Sequence, residues 1–304
     1  MKTIIVTGAT SFIGMHIINQ YINNNYKVVA IVRPNSLNLN RLNKNDNLII
    51  IEKDIDKINE IFKELHGVKV DVFYHLAWEG ARIPHRDDPI LQNKNFECSI
   101  KAMNVAKLLG CSIFIGAGSQ SEYGKCMGKI DENYPTNPIT EYGKMKLKSY
   151  KTLKNMAQKN KIKFIWTRIF SVYGIYDYQE TLVMSVLNKM IKNENIQLTQ
   201  CVQKWDFINV EDAAKIMYLL GSTNCKDGIY NIASGESREL KEFVIEMKKI
   251  TKSNSELQFG ALQYNKEGII NCEPIVEKLN KNLNYKSQVK FKDGIKKIIK
   301  FYYN

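Results

Sequence analysis

Short β-branched runs alternate with longer helical patterns over the first 170 residues, and a glycine turn stands where the first run meets the first helix. These two observations predict an α/β fold, a Rossmann-type doubly wound parallel sheet covered by helices on both faces. After Arg168 the pattern changes to loops, short strands and helices, which predicts a smaller mixed α/β domain. The expected division is a dinucleotide-binding domain over 1–170 and a mainly substrate-binding domain over 171–304, some of whose strands and helices return to the first. No Pro/Gly-rich linker separates the two, so a cleft between them is the expected active site.

The expected strands are Thr3–Thr7, Lys27–Val32, Leu48–Glu52, Val70–His75, Ser112–Gly116 and Lys163–Arg168, runs rich in Val, Ile and Phe. The helical apolar period predicts Ile13–Asn23, Lys94–Leu109 and Tyr142–Lys159 between them. In the second half the same signals predict strands at Asp206–Val210 and Ile229–Ala233, and helices at Thr181–Lys192, Glu211–Leu220, Leu240–Thr251 and Asp293–Tyr302.

With 44% hydrophobic and 25% charged residues, a chain of 304 can bury a large core. The formal charge of +13 would suit a nucleic-acid partner if it were clustered. The lysines are instead spread, thickest over 144–163 and 286–300, where they alternate with apolar residues as on solvated helix faces. No nucleic-acid partner is expected. Cys98, Cys111, Cys126, Cys201, Cys225 and Cys272 form no CxxC pair and have no histidine at metal-ligand spacing, so no structural zinc is expected. The N-terminal run lacks the apolar core of a signal peptide, and no run approaches the roughly 18 to 20 apolar residues of a membrane helix. A cytoplasmic protein is the expectation.

Thr7-Gly8-Ala9-Thr10-Ser11-Phe12-Ile13-Gly14 follows the first strand and opens a helix, the context a dinucleotide fingerprint requires. Gly8 permits the tight turn, Gly14 lets helix and strand pack closely, and the helix N-terminus offers N–H groups to a pyrophosphate. A carboxylate ordinarily ends the second strand when the ribose hydroxyls are free. Here that strand runs into Arg33, followed by Asn35, Ser36 and Arg41, donors suited to a 2′-phosphate. NADP(H) is therefore favoured over NAD(H). Tyr142 and Lys146 stand four apart in a helical pattern and so share a face, where an ammonium would lower a phenol's pKa. Ser119, beyond the strand Ser112–Gly116, can reach the reacting oxygen from the sheet's carboxyl edge.

These blocks together resemble the extended short-chain dehydrogenase/reductase family, in its nucleotide-sugar epimerase, dehydratase and ketoreductase branch. Further matches are Asp54-Ile55, the run Asp71 to Ala77, Asn95, the run Gly118 to Gly124, Arg168, Val172-Tyr173-Gly174, the run Trp205 to Ile208, and Tyr230-Asn231-Ile232. The resemblance implies that Ser119, Tyr142 and Lys146 are the catalytic set, that Asp54 and Ile55 flank the adenine, and that Leu76 and Ala77 line the cofactor. It also places Phe170 and Ser171 near the nicotinamide, and implies a homodimer joined through the helices at 94–109 and 142–159. The chain departs from the family pattern at Ser11, Trp205 and Ile175, where a glycine, an arginine and a proline are usual.

Family dehydratases carry Asp-Glu after the catalytic hydroxyl residue, to protonate and deprotonate the sugar. Gln120 and Ser121 stand there, which disfavours a dehydratase. The missing acidic residue and Ser11 favour exchangeable NADPH and hence reduction of the C4 keto group of a nucleotide-activated 4-keto-6-deoxyhexose. The alternatives are a 4-epimerase with tightly held NAD and a catalytically silent NADP-binding protein. Gln120, Ser121, Lys204 and Trp205 are the expected substrate contacts, with Arg238 and Lys266 as further cations for a diphosphate and Arg82 and His85 in a loop that could cover the sugar.

Overall fold

The computed structural model describes residues 2–264 and 268–303. The chain forms two compact units, one made of Met1–Gly124, Pro135–Ile169 and Ala214–Tyr230, the other of Lys125–Tyr134, Phe170–Ala213 and Asn231–Asn304.

The first unit is built on a sheet of β1 (Thr3–Thr7), β2 (Lys27–Val32), β3 (Leu48–Glu52), β4 (Val72–His75), β5 (Ile113–Ser119), β6 (Lys163–Ile169) and β7 (Gly228–Ile232). Its order is β7-β6-β5-β4-β1-β2-β3. The strands from β6 to β3 pair in parallel, with Thr7 opposite His75 and Ser119 opposite Ile169 at their carboxyl ends. The chain winds outward in both directions from β1, so β1 and β4 flank the switch point, outside whose carboxyl edge such sheets bind ligands. This is the doubly wound parallel sheet expected of the sequence.

One face of the sheet carries a ladder of aromatic rings, Phe73 stacked on Phe114 at 5.5 Å, Phe114 on Phe164 at 6.2 Å, and Phe164 on Trp166 at 6.0 Å. Helices α2 (Pro89–Leu108) and α3 (Glu141–Lys159) cover it with Ala102, Met103, Ala106, Leu153 and Ala157. On the other face, α1 (Phe12–Ile22) brings Tyr21 to Tyr74, hydroxyl to hydroxyl at 2.8 Å, and Tyr74 donates to the Met217 carbonyl at 2.7 Å.

Two elements begin or end more than two residues from where they are expected. The strand expected to stop at Gly116 continues through Ala117 and Gly118 to Ser119. A Cβ at 116 or 118 would sit 2.4 or 2.3 Å from the Trp166 ring, so the glycines that weaken the strand signal are what let β5 run beneath that indole. Helix α2 starts at Pro89 rather than at Lys94. Asp88 caps it, accepting from the N–H groups of Ile90 at 3.0 Å and Leu91 at 3.1 Å, and the proline supplies the fixed φ of a first helical residue.

The second unit has its own core, in which Tyr173, Leu187, Leu240, Phe243, Phe291 and Ile295 meet. Short strands brace it. Phe207–Asn209 runs parallel to Ser171–Tyr173, and Lys204–Trp205 antiparallel to Arg238–Glu239. Buried Asp206 holds the turn at 234–235 by accepting from the Ser234 hydroxyl and the Ser234 and Gly235 N–H groups. Among the described residues no helix is long and apolar enough to cross a membrane, and no cluster of His, Cys, Asp or Glu could hold a metal ion. All six cysteines are buried.

Candidate active site

The turn after β1 is shaped by two glycines. Gly8 has φ +68°, and a Cβ there would sit 2.9 Å from the Ala77 nitrogen, so the backbone itself closes the space beside β4. A Cβ on Gly14 would lie 2.3 Å from the Gly8 carbonyl oxygen. Ser11 caps α1, its Oγ accepting from the Gly14 N–H at 3.1 Å. Its side chain is thereby turned to the helix, and the N–H groups of Phe12 and Ile13 open the helix with no intrahelical acceptor. Thr10 and Ser36 join their hydroxyls at 3.2 Å, which ties the loop after β2 to this turn. Arg33 is exposed and Arg41 half-buried. Glycines that a side chain would fill, and a helix N-terminus with free donors, fit the pyrophosphate of a dinucleotide.

At the end of β4 the Thr7 hydroxyl accepts from the N–H groups of Leu76 at 3.2 Å and Ala77 at 3.3 Å, and meets His75 Nδ1 at 3.1 Å. His75 Nε2 continues the chain to Ser99 Oγ at 3.0 Å, and Ser99 donates to the Asn95 carbonyl. Burial, with the nearby Lys146 charge, pushes the His75 imidazole down to about 3, so it is a neutral spacer between strands and α2. Farther along the edge, exposed Asp54 precedes the helical turn that starts at Ile55, whose side chain packs on the core.

Ser119 ends β5 and begins a single helical turn, Gln120–Glu122. The Glu122 carboxylate, with no exposure, accepts from the Ser119 N–H at 2.8 Å, Trp166 Nε1 at 2.9 Å and Arg168 Nε at 3.0 Å. Burial raises its pKa, opposed by the Arg168 charge and these donors. The Arg168 guanidinium lies 4.3 Å over the Tyr123 ring. This buried pair is the scaffold behind Ser119, whose hydroxyl accepts from the Ser121 N–H at 3.1 Å.

Tyr142 and Lys146 stand on one face of α3, as their spacing requires. The helix approaches the Ser121 turn closely because residue 143 is glycine, where a Cβ would sit 2.5 Å from the Ser121 carbonyl oxygen. Tyr142 is thereby brought toward the Ser119 side chain. Burial raises the phenol's pKa, and the Ser119 side chain and the Arg86 guanidinium oppose that rise. Lys146 stands 5.7 Å from the Tyr142 ring centre. Its ammonium donates to the Ala117 carbonyl at 2.7 Å, lies 3.6 Å over the Trp78 ring, and is pushed by burial down to about 7, against the pull of Glu122.

Sequence reasoning missed Arg86. In the loop between β4 and α2 it pointed to Arg82 and His85, both of which are exposed. Arg86 is the residue that turns in, its guanidinium carbon 5.6 Å from the Tyr142 ring centre and its Nη2 2.7 Å from Ser121 Oγ. The signal that could have found it is the Asp-Asp-Pro start of α2, which fixes where the loop must end. Trp78 also went unassigned; its ring stands edge-on to Tyr142 at 6.0 Å and donates to Gln92 Oε1 at 2.8 Å.

Phe170, Lys204 and Trp205 belong to the second unit. Phe170 is buried and donates its N–H to the Ile232 carbonyl at 3.0 Å. Trp205 Nε1 donates to Ser171 Oγ at 2.9 Å, and the Lys204 N–H to Asn271 Oδ1 at 2.8 Å. Arg238 is committed to Glu246 and lies 4.0 Å over the Phe243 ring. Lys266 lies outside the described residues.

A model of the NAD dependent epimerase/dehydratase family matches residues 4–233. A CDP-abequose synthase of Salmonella muenchen is 26% identical over 98% of this chain and 97% of its own. A protein named as a putative UDP-glucose 4-epimerase, from Methanocaldococcus jannaschii, is 29% identical over 99% and 98% of the two chains. Among solved structures, the UDP-glucose 4-epimerase of Thermotoga maritima, determined with UDP-glucose, shares the fold with a TM-score of 0.88 at 21% identity, over 99% of this chain and 98% of that one.

Proposed function

The chain belongs to the NAD dependent epimerase/dehydratase family, and from that premise we propose that it is an NADPH-dependent reductase acting on the C4 keto group of a nucleotide-activated 4-keto-6-deoxyhexose. The observation that carries this reading is the end of β2. Arg33 stands where a carboxylate would select free ribose hydroxyls, and the Thr10–Ser36 hydroxyl pair adds donors at the same turn. A 2′-phosphate is thus favoured, and an exchangeable NADPH suits net reduction. Full-length similarity to a CDP-abequose synthase supports a nucleotide-diphosphate sugar as the substrate class.

In this reading Gly8, Thr10, Ser11, Phe12, Ile13 and Gly14 hold the pyrophosphate, Asp54 and Ile55 flank the adenine, and Leu76, Ala77 and Phe170 line the nicotinamide end. The bound coenzyme supplies hydride to the C4 carbon. Tyr142 delivers its phenolic proton to the C4 oxygen, so the carbonyl becomes an alcohol and the tyrosine a phenolate. Ser119, fixed by Glu122, positions that oxygen. Lys146 holds a ribose hydroxyl, and its ammonium anchors the end of β5 through the Ala117 carbonyl. Gln120, Ser121, Lys204 and Trp205 contact the sugar and its diphosphate. The active form is a homodimer joined through α2 and α3.

A second reading, a 4-epimerase with tightly bound NAD, is favoured by the 29% identity to the putative UDP-glucose 4-epimerase. The test is oxidation of NADPH and NADH by the purified chain with 4-keto-6-deoxy sugars carrying CDP, dTDP, GDP or UDP. NADPH consumption with one nucleotide is the expected result. No consumption, with NAD released on denaturation, would replace the reductase by the epimerase.

A further inference from the structure

One of the two cations beside Tyr142 comes from a loop, and that loop is held by several hydrogen bonds. Gln92, fully buried, donates to the Gly80 carbonyl at 2.8 Å and to the His85 carbonyl at 3.0 Å. Asn95 accepts from the Glu79 N–H and donates to the Glu79 carbonyl, and the Asp87 carboxylate accepts from the Glu141 N–H at 2.9 Å. The residue after Arg86 is therefore tied to the residue before Tyr142. Arg86 has no carboxylate partner within ion-pair reach among the described residues, and its Nε is buried without an acceptor. An arginine kept only for stability would have both satisfied.

Lys146 and Arg86 stand at equal range, 5.7 and 5.6 Å from the Tyr142 ring centre. They differ in what else they hold. The Lys146 ammonium also donates to the Ala117 carbonyl and lies over the Trp78 ring, and burial pushes it down to about 7. A guanidinium keeps its charge over the whole range in which enzymes work.

We infer that Arg86 is a positioning residue for the proton transfer, its guanidinium stabilising the phenolate left on Tyr142 when the phenol gives its proton to the substrate oxygen, with Ser121 holding it in place. This rests on the assignment of Tyr142 as proton donor. The other groups facing the phenol are Ser119 from β5, which favours its ionised form, the Glu122 carboxylate behind Ser119, which opposes ionisation and is paired with Arg168, and Lys146 on its own helix. Asp87 faces the Glu141 backbone rather than the ring.

The experiment is nitration of Tyr142 by tetranitromethane in the full chain, without coenzyme or substrate, followed by peptide mass spectrometry between pH 7 and 9. The reagent attacks phenolate, so its rate reports the ionised fraction. Arg86→Gln is expected to slow nitration roughly tenfold, equivalent to about one pH unit, while Arg86→Lys recovers most of the rate. An unchanged or faster rate in Arg86→Gln overturns the inference, and the Arg86→Lys variant, whose rate should stay near that of the parent chain, decides it even where Arg86→Gln fails to fold. With substrate, Arg86→Gln should move the pH profile of kcat by the same unit with little change in KM. Slowed nitration in a chain that reduces no sugar would leave Arg86 in its role and remove the reductase.

Discussion

The turn that follows β1 and the cluster that follows β5 both stand at the carboxyl edge of the central sheet, yet the first is made of backbone and the second of side chains. At the turn, Gly8 and Gly14 act by having no Cβ, and the groups offered to a ligand are N–H donors at a helix start. Around Ser119 side chains from separate elements meet, with Glu122 bound by Arg168, the helix of Tyr142 admitted beside the Ser121 turn by Gly143, and the Arg86 loop held by Gln92 and by Asp87 on the Glu141 N–H. A backbone site is specified by a few consecutive residues. A side-chain site depends on which helices the sheet brings beside it.

Substitutions should separate the two. Tyr142→Phe removes only a hydroxyl, so turnover in the NADPH assay should fall about 100- to 10,000-fold while coenzyme affinity by calorimetry stays within twofold, roughly the range of a lost general acid. Retained turnover would take the chemistry away from the β5 cluster. Glu122→Gln leaves Arg168 buried without its counter-charge, at a cost of roughly 3–5 kcal/mol in urea unfolding; a cost below 1 kcal/mol would mean that the pair is not the scaffold of Ser119.

On the backbone side, Gly14→Ala places a methyl against the Gly8 carbonyl and should cost roughly 1–3 kcal/mol in unfolding free energy together with most coenzyme binding. Full retention of both would show that the turn yields more than its geometry indicates. Arg33→Ala should weaken NADPH about tenfold and leave NADH unchanged, since an exposed guanidinium contributes one charge-assisted contact; equal loss with both coenzymes would argue against a 2′-phosphate site.

A pH-dependent effect concerns His75, where the strand and α2 meet. Its imidazole is held at about 3 instead of 6.5. Between those values the unfolded chain binds a proton that the folded chain refuses, so stability falls as pH drops through 6.5 toward 3, by at most about 1.4 kcal/mol per unit. His75→Gln should flatten that slope in urea titrations at successive pH values. An unaltered slope would mean that the Thr7–His75–Ser99 chain admits a proton without loss.

Most strands and helices were legible from periodicity alone, as at Thr3–Thr7 and Leu240–Thr251, because burial on a sheet or helix face imposes its own spacing. Tyr142 and Lys146 were legible as a pair because a helix fixes residues four apart on one face. The extension of β5 was not, since Gly116 and Gly118 make sense only beneath the Trp166 ring. Nor was the direction in which Lys146 points, because i and i+4 spacing sets proximity but leaves the long side chain free to find the Ala117 carbonyl.

The sequence by itself thus determined the doubly wound class, the glycine turn and the absence of a carboxylate after β2, all of which follow from local conformation and residue type. Only the tertiary structure decided that Arg86 rather than its neighbours Arg82 and His85 faces Tyr142, and that Glu122 stands behind Ser119. Those choices rest on hydrogen bonds between residues tens of positions apart, and nothing in the order of residues along the chain states which distant donor will find which acceptor.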